Sequence, residues 1–215
     1  MQQGRNNQPR PSLTHEYNLR DSGLLHIAGV DEAGRGAWAG PVIAAAVILP
    51  LSEFNLANVL CEVRDSKLMT PKQRLINYHR IHEIALSIGL GCASPEEVDS
   101  LGIIGATYQA MHRAIQALSI PPQYVLIDHL VLPDLDISQT ALTKGDRDVL
   151  SISAASIIAK VARDEIMIEL DHQYPDYGFS QHKGYGTLLH QKTLQKFGPS
   201  LVHRKTFAPV SRQLI

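Results

Sequence analysis

Two adjacent acids and two glycines, in the run Asp31-Glu32-Ala33-Gly34-Arg35-Gly36, separate two apolar stretches, His26 to Val30 and Val42 to Leu49. Short β-branched runs on either side of a Gly-rich turn read as a β-hairpin over residues 24–31 and 41–49. The hydrophobicity is nearly continuous, so both faces of the hairpin are covered. An unpaired carboxylate in a low-dielectric site is costly, and two of them at the mouth of a buried hairpin need compensation, for which a hard divalent cation is the functional candidate. Successive strand residues point to opposite faces, so Asp31 and Glu32 share an ion only if the chain leaves the strand between them, a freedom that Gly34 and Gly36 supply.

At 215 residues, 44% hydrophobic and 19% charged, the chain fits one domain with a sizeable core. Its longest apolar run, Val42 to Leu49, is far short of the ~18 residues of a membrane span. The polar N-terminus has no signal-type core, so a soluble, cytoplasmic protein with no membrane partner is expected. Cys61 and Cys92 form no metal motif and no disulfide framework and read as reduced packing residues. The formal charge of −1 hides a segregation: residues 177–215 hold six basic residues and no acid, residues 1–20 carry +2, and the middle is left with −9. A basic C-terminal segment beside an acidic centre suits an enzyme that grips phosphate with one part and collects cations with another, although a merely solvated face has the same signature.

Along the chain, residues 1 to about 20 are polar, with no periodicity, and read as a flexible tail ahead of one domain over 21–215. Thr70 before Pro71, and Ser94 before Pro95 with Glu97 three residues on, are helix N-cap signals. They predict helices to about Leu86 and, with the helical spacing of Thr107 to Leu118, up to Pro121. Strands are predicted at 86–93, 124–128 and 140–143. Apolar positions from Leu150 to Ile168 recur at helical spacing and predict a long helix packed on the sheet. Acids fall at the ends of these strands: Asp31 after the first, Asp128 after the fourth, Asp146 after the fifth. Each alone is an ordinary turn former or cap. Gathered at one sheet edge, they repel one another unless cations neutralise them. Oxygen-only ligands favour Mg²⁺ or Mn²⁺, and two such ions about 4 Å apart suit phosphodiester hydrolysis.

The ordered set of segments GVDEAGRG, AGPVIAAAVIL, DSK at 65–67, YVLID, KGD at 144–146, SISAASIIAKVARD, YPDYGFSQHKGYGT and FGPSLVHRKTF resembles the type 2 ribonucleases H of the bacterial ribonuclease HII kind, over most of residues 26–208. The resemblance implies a ribonuclease H-like α/β fold, a five-stranded mixed sheet flanked by helices with a helical C-terminal segment. It also implies an endonuclease that cuts the RNA strand of RNA/DNA hybrids and incises at single ribonucleotides in duplex DNA, leaving 3′-hydroxyl and 5′-phosphate ends. Carried over position by position, the metal ligands and catalytic residues fall on Asp31, Glu32, Asp128 and Asp146, the set already reached from strand ends. The loop that senses the 2′-hydroxyl falls on Gly34, Arg35 and Gly36. The tyrosine that stacks on the sugar after the ribonucleotide falls on Tyr185, and Ser66, Lys67, Lys144 and Lys183 are expected near phosphates.

Three segments depart from the family pattern. His129 stands where many relatives have glycine, and either assists proton transfer or faces solvent. Arg147-Asp148-Val149 replaces small, basic and serine residues. Ala37 and Trp38 follow the Gly-rich loop, where Trp38 is a packing residue or a substrate contact. The alternative from another class is a non-catalytic nucleic-acid binding module on the same fold; a pure binder gains nothing from four acids facing phosphate. A nucleotide phosphotransferase is disfavoured because the loop lacks P-loop spacing. The expected protein is a monomer acting on RNA/DNA hybrid and ribonucleotide-containing duplex DNA.

Overall fold

The hairpin expected from the two apolar runs is the centre of a mixed sheet, β1 (Ile27–Ala33) against β2 (Val42–Ile48), antiparallel. Residues 10–53 and 55–214 are described here from a computed structural model. β3 (Ser87–Ala93) lies antiparallel to β2, β4 (Tyr124–Asp128) runs parallel to β1, and β5 (Gln139–Leu142) runs parallel to β4, giving the order β3-β2-β1-β4-β5. All seven residues of β2 are buried because helices cover both faces. This five-stranded mixed sheet with flanking helices is the expected architecture.

Nine helices accompany it among the described residues: α1 (Thr14–Asp21), α2 (Leu56–Val59), α3 (Pro71–Ile84), α4 (Pro95–Gln116), α5 (Gly145–Asp148), α6 (Leu150–Gln173), α7 (Phe179–His182), α8 (Leu188–Phe197) and α9 (Ala208–Ser211). Thr70 and Ser94 each form a complete capping box, with Gln73 and Glu97. The two predicted pieces of α4 join across a kink at Gly102, whose φ of 70° a side chain rarely adopts. One face of the sheet, with Ile43 and Val47, packs against Ile152, Ile157 and Ile158 of α6. The other, with Ala28, Val30 and Ile127, packs against Met111 and Ile115 of α4. A Cβ on Gly29 would fall 2.2 Å from the Ser151 carbonyl carbon, so β1 lets α6 lie flush on it only with glycine there. Among the described residues no helix is long and apolar enough to cross a membrane.

The flexible tail predicted for residues 1 to about 20 is not what the structure has over Thr14–Asp21, where the chain is helical; residues 1–9 lie outside the described residues. The reason is a cap supplied at long range. α6 begins after Val149, which offers no side-chain cap, and Glu16 of α1, fully buried, takes the Ser151 N–H at 2.9 Å instead. Leu13 packs into the core beside it. Cys61 and Cys92 are free, as expected, but exposed rather than packed.

Candidate active site

β1 outruns its parallel neighbour. Pairing between β1 and β4 stops at Val30 with Ile127, while β1 continues against β2 as far as Ala33 with Ile43. β4 ends at Asp128, and the chain turns away at His129, whose φ of 63° is one that glycine takes freely. The exposed His129 imidazole is therefore a side chain borne on a glycine-type turn. The divergence opens a notch at the carboxyl ends of two parallel strands, the place where α/β sheets build sites.

Asp31, Glu32 and Asp128 line a cleft of about 440 Å³ there, with the loop Gly34 to Gly36, Ser66, Lys67 and Tyr185. Asp31 and Glu32 both belong to the strand, so the expected exit of the chain between them does not occur. The missing stretch of neighbouring strand, not a turn, gives both acids access to one cleft.

Each carboxylate has a different support. Asp31, 3% exposed, accepts the Glu32 N–H at 2.7 Å; burial, followed by the charges of Glu32 and Asp128, holds its pKa well above the usual carboxylate value. Glu32 Oε1 takes a hydrogen bond of 3.1 Å from Arg35, while its Oε2 is buried with no partner. Burial raises the Glu32 pKa against the opposing pull of Arg35. Asp128 Oδ1 accepts the N–H of Gly145 at 2.8 Å and of Asp146 at 3.4 Å, so the start of α5 is held to the end of β4. Its pKa is raised by burial and then by Asp146. Asp146 binds Lys67 Nζ through Oδ2 at 2.9 Å. Burial works against the Lys67 charge, but Asp146, Asp31 and Asp65 together hold its pKa above the ordinary lysine value. Among the described residues no three His, Cys, Asp or Glu side chains are grouped closely enough to hold an ion as they stand; each acid is engaged with a partner of its own.

The Gly-rich loop and Tyr185 are brought to the same cleft by two buried arginines that the sequence reading did not single out. Arg163 of α6 donates to the carbonyls of Pro41, Ala39 and Lys183, at 2.9, 3.2 and 2.9 Å, and lies 5.2 Å from the Tyr185 ring. Arg204 donates to the carbonyls of Gly40 and Arg35, at 3.0 and 2.9 Å. Both guanidiniums are fully buried and bind backbone carbonyls rather than carboxylates, which staples residues 35–41 to the segment 183–204. Lys160, one turn before Arg163, also lines the cleft and pairs with Asp164 at 2.7 Å. Lys160 and Arg163, two basic residues three apart on a helix otherwise built of small and apolar residues up to Ala162, were the available signal.

Not every expected residue reaches the cleft wall. Asp146 stands behind it, joined through Lys67 and Asp128. Lys144, exposed with φ 63°, opens α5, and the Lys183 ammonium is turned to the Ser180 carbonyl, so neither lines the cleft. Arg147 is engaged by Asp148 at 2.7 and 2.8 Å. Trp38 packs: its ring lies against Gly186, where a Cβ would meet it at 2.1 Å, and against His190 at 5.4 Å between centroids.

Comparison with known proteins gives the same assignment. The family model of Ribonuclease HII matches residues 28–210. A Ribonuclease HII of Chloroflexus aurantiacus is 46% identical over 205 residues, 95% of this chain and 97% of that one. The crystal structure of ribonuclease H2 from Pyrococcus horikoshii OT3 superposes with a TM-score of 0.70 at 26% identity, over 87% of this chain and 96% of that one. Bst-RNase HIII, solved in complex with Mn²⁺, shares the fold with a TM-score of 0.66 at 18% identity, over 99% of this chain and 75% of that one. Since the matched span contains all four carboxylates and the strands that open the notch between them, the chain belongs to the ribonuclease HII family and is a type 2 ribonuclease H, an endonuclease.

Proposed function

We propose that this enzyme hydrolyses the RNA strand of RNA/DNA hybrids and incises duplex DNA at single embedded ribonucleotides, leaving 3′-hydroxyl and 5′-phosphate ends, with Asp31, Glu32, Asp128 and Asp146 holding two divalent ions, Mg²⁺ or Mn²⁺. The observation that carries the reading is the meeting of three of these acids, an unpartnered buried Glu32 Oε2, the Gly34–Gly36 loop and Tyr185 in one cleft. The donor set fits a hard cation: only oxygen ligands, no histidine or cysteine on the cleft wall, and one buried oxygen that lacks a hydrogen-bond donor. When bound, such ions supply an activated water and charge stabilisation at the departing oxygen.

The chain's own residues do the rest. Arg35 fixes Glu32 from one side, and the backbone amides of Gly145 and Asp146 fix Asp128 from another. Lys67, the loop arginine Arg35 and Lys160 supply positive charge for phosphates, with Ser66, Lys144 and Lys183 as outlying contacts. The exposed Gly36, with open space where a Cβ would stand, lets a sugar approach the backbone closely enough for its 2′-hydroxyl to be read. Tyr185 stacks on the following sugar. The enzyme works as a monomer, with one catalytic domain over residues 21–215, in the cytoplasm.

The test is cleavage of a labelled DNA duplex containing one ribonucleotide, with Mg²⁺, Mn²⁺ or chelator, beside an all-DNA control and the Asp128→Asn variant. Metal-dependent incision on the 5′ side of the ribonucleotide, lost in the variant, supports the reading; cleavage of long hybrid alone overturns the single-ribonucleotide part, and full activity in Asp128→Asn overturns the ligand set.

A further inference from the structure

Behind Tyr185 runs a chain of polar contacts with only one consistent direction. His182, His190 and His203 are all buried, the rings of His182 and His190 stack at 4.3 Å between centroids, and Phe179 lies 5.8 Å from each. The Ser200 backbone N–H donates to His203 Nδ1 at 3.0 Å, and the Ser200 hydroxyl lies 2.8 Å from the same atom. A backbone N–H can only donate, so His203 Nδ1 is an acceptor and a neutral His203 carries its proton on Nε2. That Nε2 is 3.0 Å from His190 Nε2, which must then accept. His190 is left with its proton on Nδ1, 3.0 Å from the carbonyl oxygen of Tyr185. Every donor faces an acceptor when both imidazoles are neutral; an added proton on either ring sets N–H against N–H. Burial agrees, lowering each of the two to about 4. His182 holds the other side of the same residue, its carbonyl taking the Tyr185 N–H at 2.9 Å and its Nδ1 taking the Gly184 N–H at 3.2 Å.

We propose that the Ser200–His203–His190 chain is a positioning relay for Tyr185, fixing the tyrosine backbone from behind so that its ring stands at the cleft over Arg163 and Lys160 and discriminates an RNA-to-DNA junction from continuous hybrid. This rests on the reading of Tyr185 as the residue that stacks on the sugar after the ribonucleotide. The histidines touch no reacting atom and are positioning residues. Their geometry argues against simple core filling: an apolar side chain fills space equally well, whereas here a series of three directional bonds ends on the carbonyl of a cleft residue. An uncharged relay also suits its place, because the adjacent guanidiniums of Arg163 and Arg204 already bring two buried positive charges to this segment.

Two measurements test it. Imidazole ¹⁵N shifts of the unaltered protein at neutral pH report tautomers directly; the relay requires the proton on Nε2 of His203 and on Nδ1 of His190, and the opposite tautomer in either ring overturns it. The second is kcat/KM on a single-ribonucleotide duplex and on uniform RNA/DNA hybrid for Tyr185→Ala, His203→Leu, His203→Gln and the double variant Tyr185→Ala/His203→Leu. Loss of the buried hydrogen bond is expected to lower the single-ribonucleotide value about tenfold more than the hybrid value in His203→Leu. His203→Gln, whose amide can both accept from Ser200 and donate to His190, restores most of the ratio. In the Tyr185→Ala background His203→Leu adds little, because both act through the same ring. Equal losses on both substrates, or losses that multiply in the double variant, overturn the relay and leave the histidines as core. If Tyr185→Ala shifts the ratio and His203→Leu does not, the relay alone falls; if Tyr185→Ala itself leaves the ratio unchanged, the reading of Tyr185 falls and takes the relay with it.

Discussion

The ammonium of Lys67 lies 2.9 Å from Asp146 Oδ2, setting one positive charge between that acid and the cleft that Asp31, Glu32 and Asp128 line. Lys67 also lowers the pKa of Asp31, Glu32 and Asp128 through space, against the burial that raises all three. Replacing it by methionine removes that pull, so these acids ionise at still higher pH. The acidic limb of the pH profile of kcat/KM is expected to move up by roughly half a unit or more in Lys67→Met, read as an apparent value of the coupled group. An unmoved limb would place Lys67 outside the electrostatics of the site.

The same acids strain the fold. A carboxylate whose folded pKa is raised favours the folded state below its unfolded pKa and loses that contribution as pH rises through the folded value. Asp31, buried and facing Glu32 and Asp128, is such a group. Asp31→Asn is therefore expected to gain about 1 kcal/mol of stability at neutral pH without added metal, while losing about a thousandfold or more of turnover. Urea unfolding and single-turnover kinetics on one preparation check both halves.

Two glycines of the same loop have opposite structural roles. At Gly34, φ is 97° and a Cβ would sit 2.0 Å from Arg163 Nε; at Gly36 nothing lies within 4 Å. Gly34→Ala should cost roughly 1–3 kcal/mol of stability, and Gly36→Ala no more than about 0.5 kcal/mol. The effect of Gly36→Ala is instead expected in KM, so thermal melts and steady-state kinetics separate the two.

Acid should weaken the protein through His190 and His203. Their folded pKa values of about 4, against an ordinary 6.5, mean that the unfolded chain binds more protons between those limits. Their contribution to stability is thus flat above about pH 6.5 and falls as pH drops toward 4, by on the order of 3 kcal/mol for each imidazole that must stay neutral. Melting curves across this window check it; removing the pair by His190→Gln and His203→Gln should flatten the slope.

His129→Gly should raise stability by about 0.5–1 kcal/mol, since it removes a side chain from a left-handed backbone position. Unchanged kcat in that variant would assign the imidazole to solvent; a fall in kcat would assign it to proton transfer.

The strands, the two capping boxes and the position of the acids at or just after strands were legible because they depend on neighbours in sequence: apolar runs, a Thr or Ser beside a proline, an acid closing a run. The notch was not. Asp31 and Glu32 share a cleft because β4 stops short of β1, a relation between residues about a hundred positions apart that no local period records. Glu16 escaped for the same reason, since its partner, the Ser151 amide, is 135 residues away. Arg163 and Arg204 were hidden because their partners are main-chain carbonyls, which carry no signature of side-chain identity. Tyr185 was placed by family likeness alone; spacing would have made it an ordinary packing residue.

The docking of α1 has a practical side. Its Glu16 stoppers the first turn of α6, the helix whose backbone lies flush on Gly29 and whose Ser153 hydroxyl holds the carbonyl of Asp146 at 2.7 Å. Anyone trimming this protein for crystallisation, or fusing a tag close to Leu13, is editing the far end of a lever that reaches Asp146 and the candidate site.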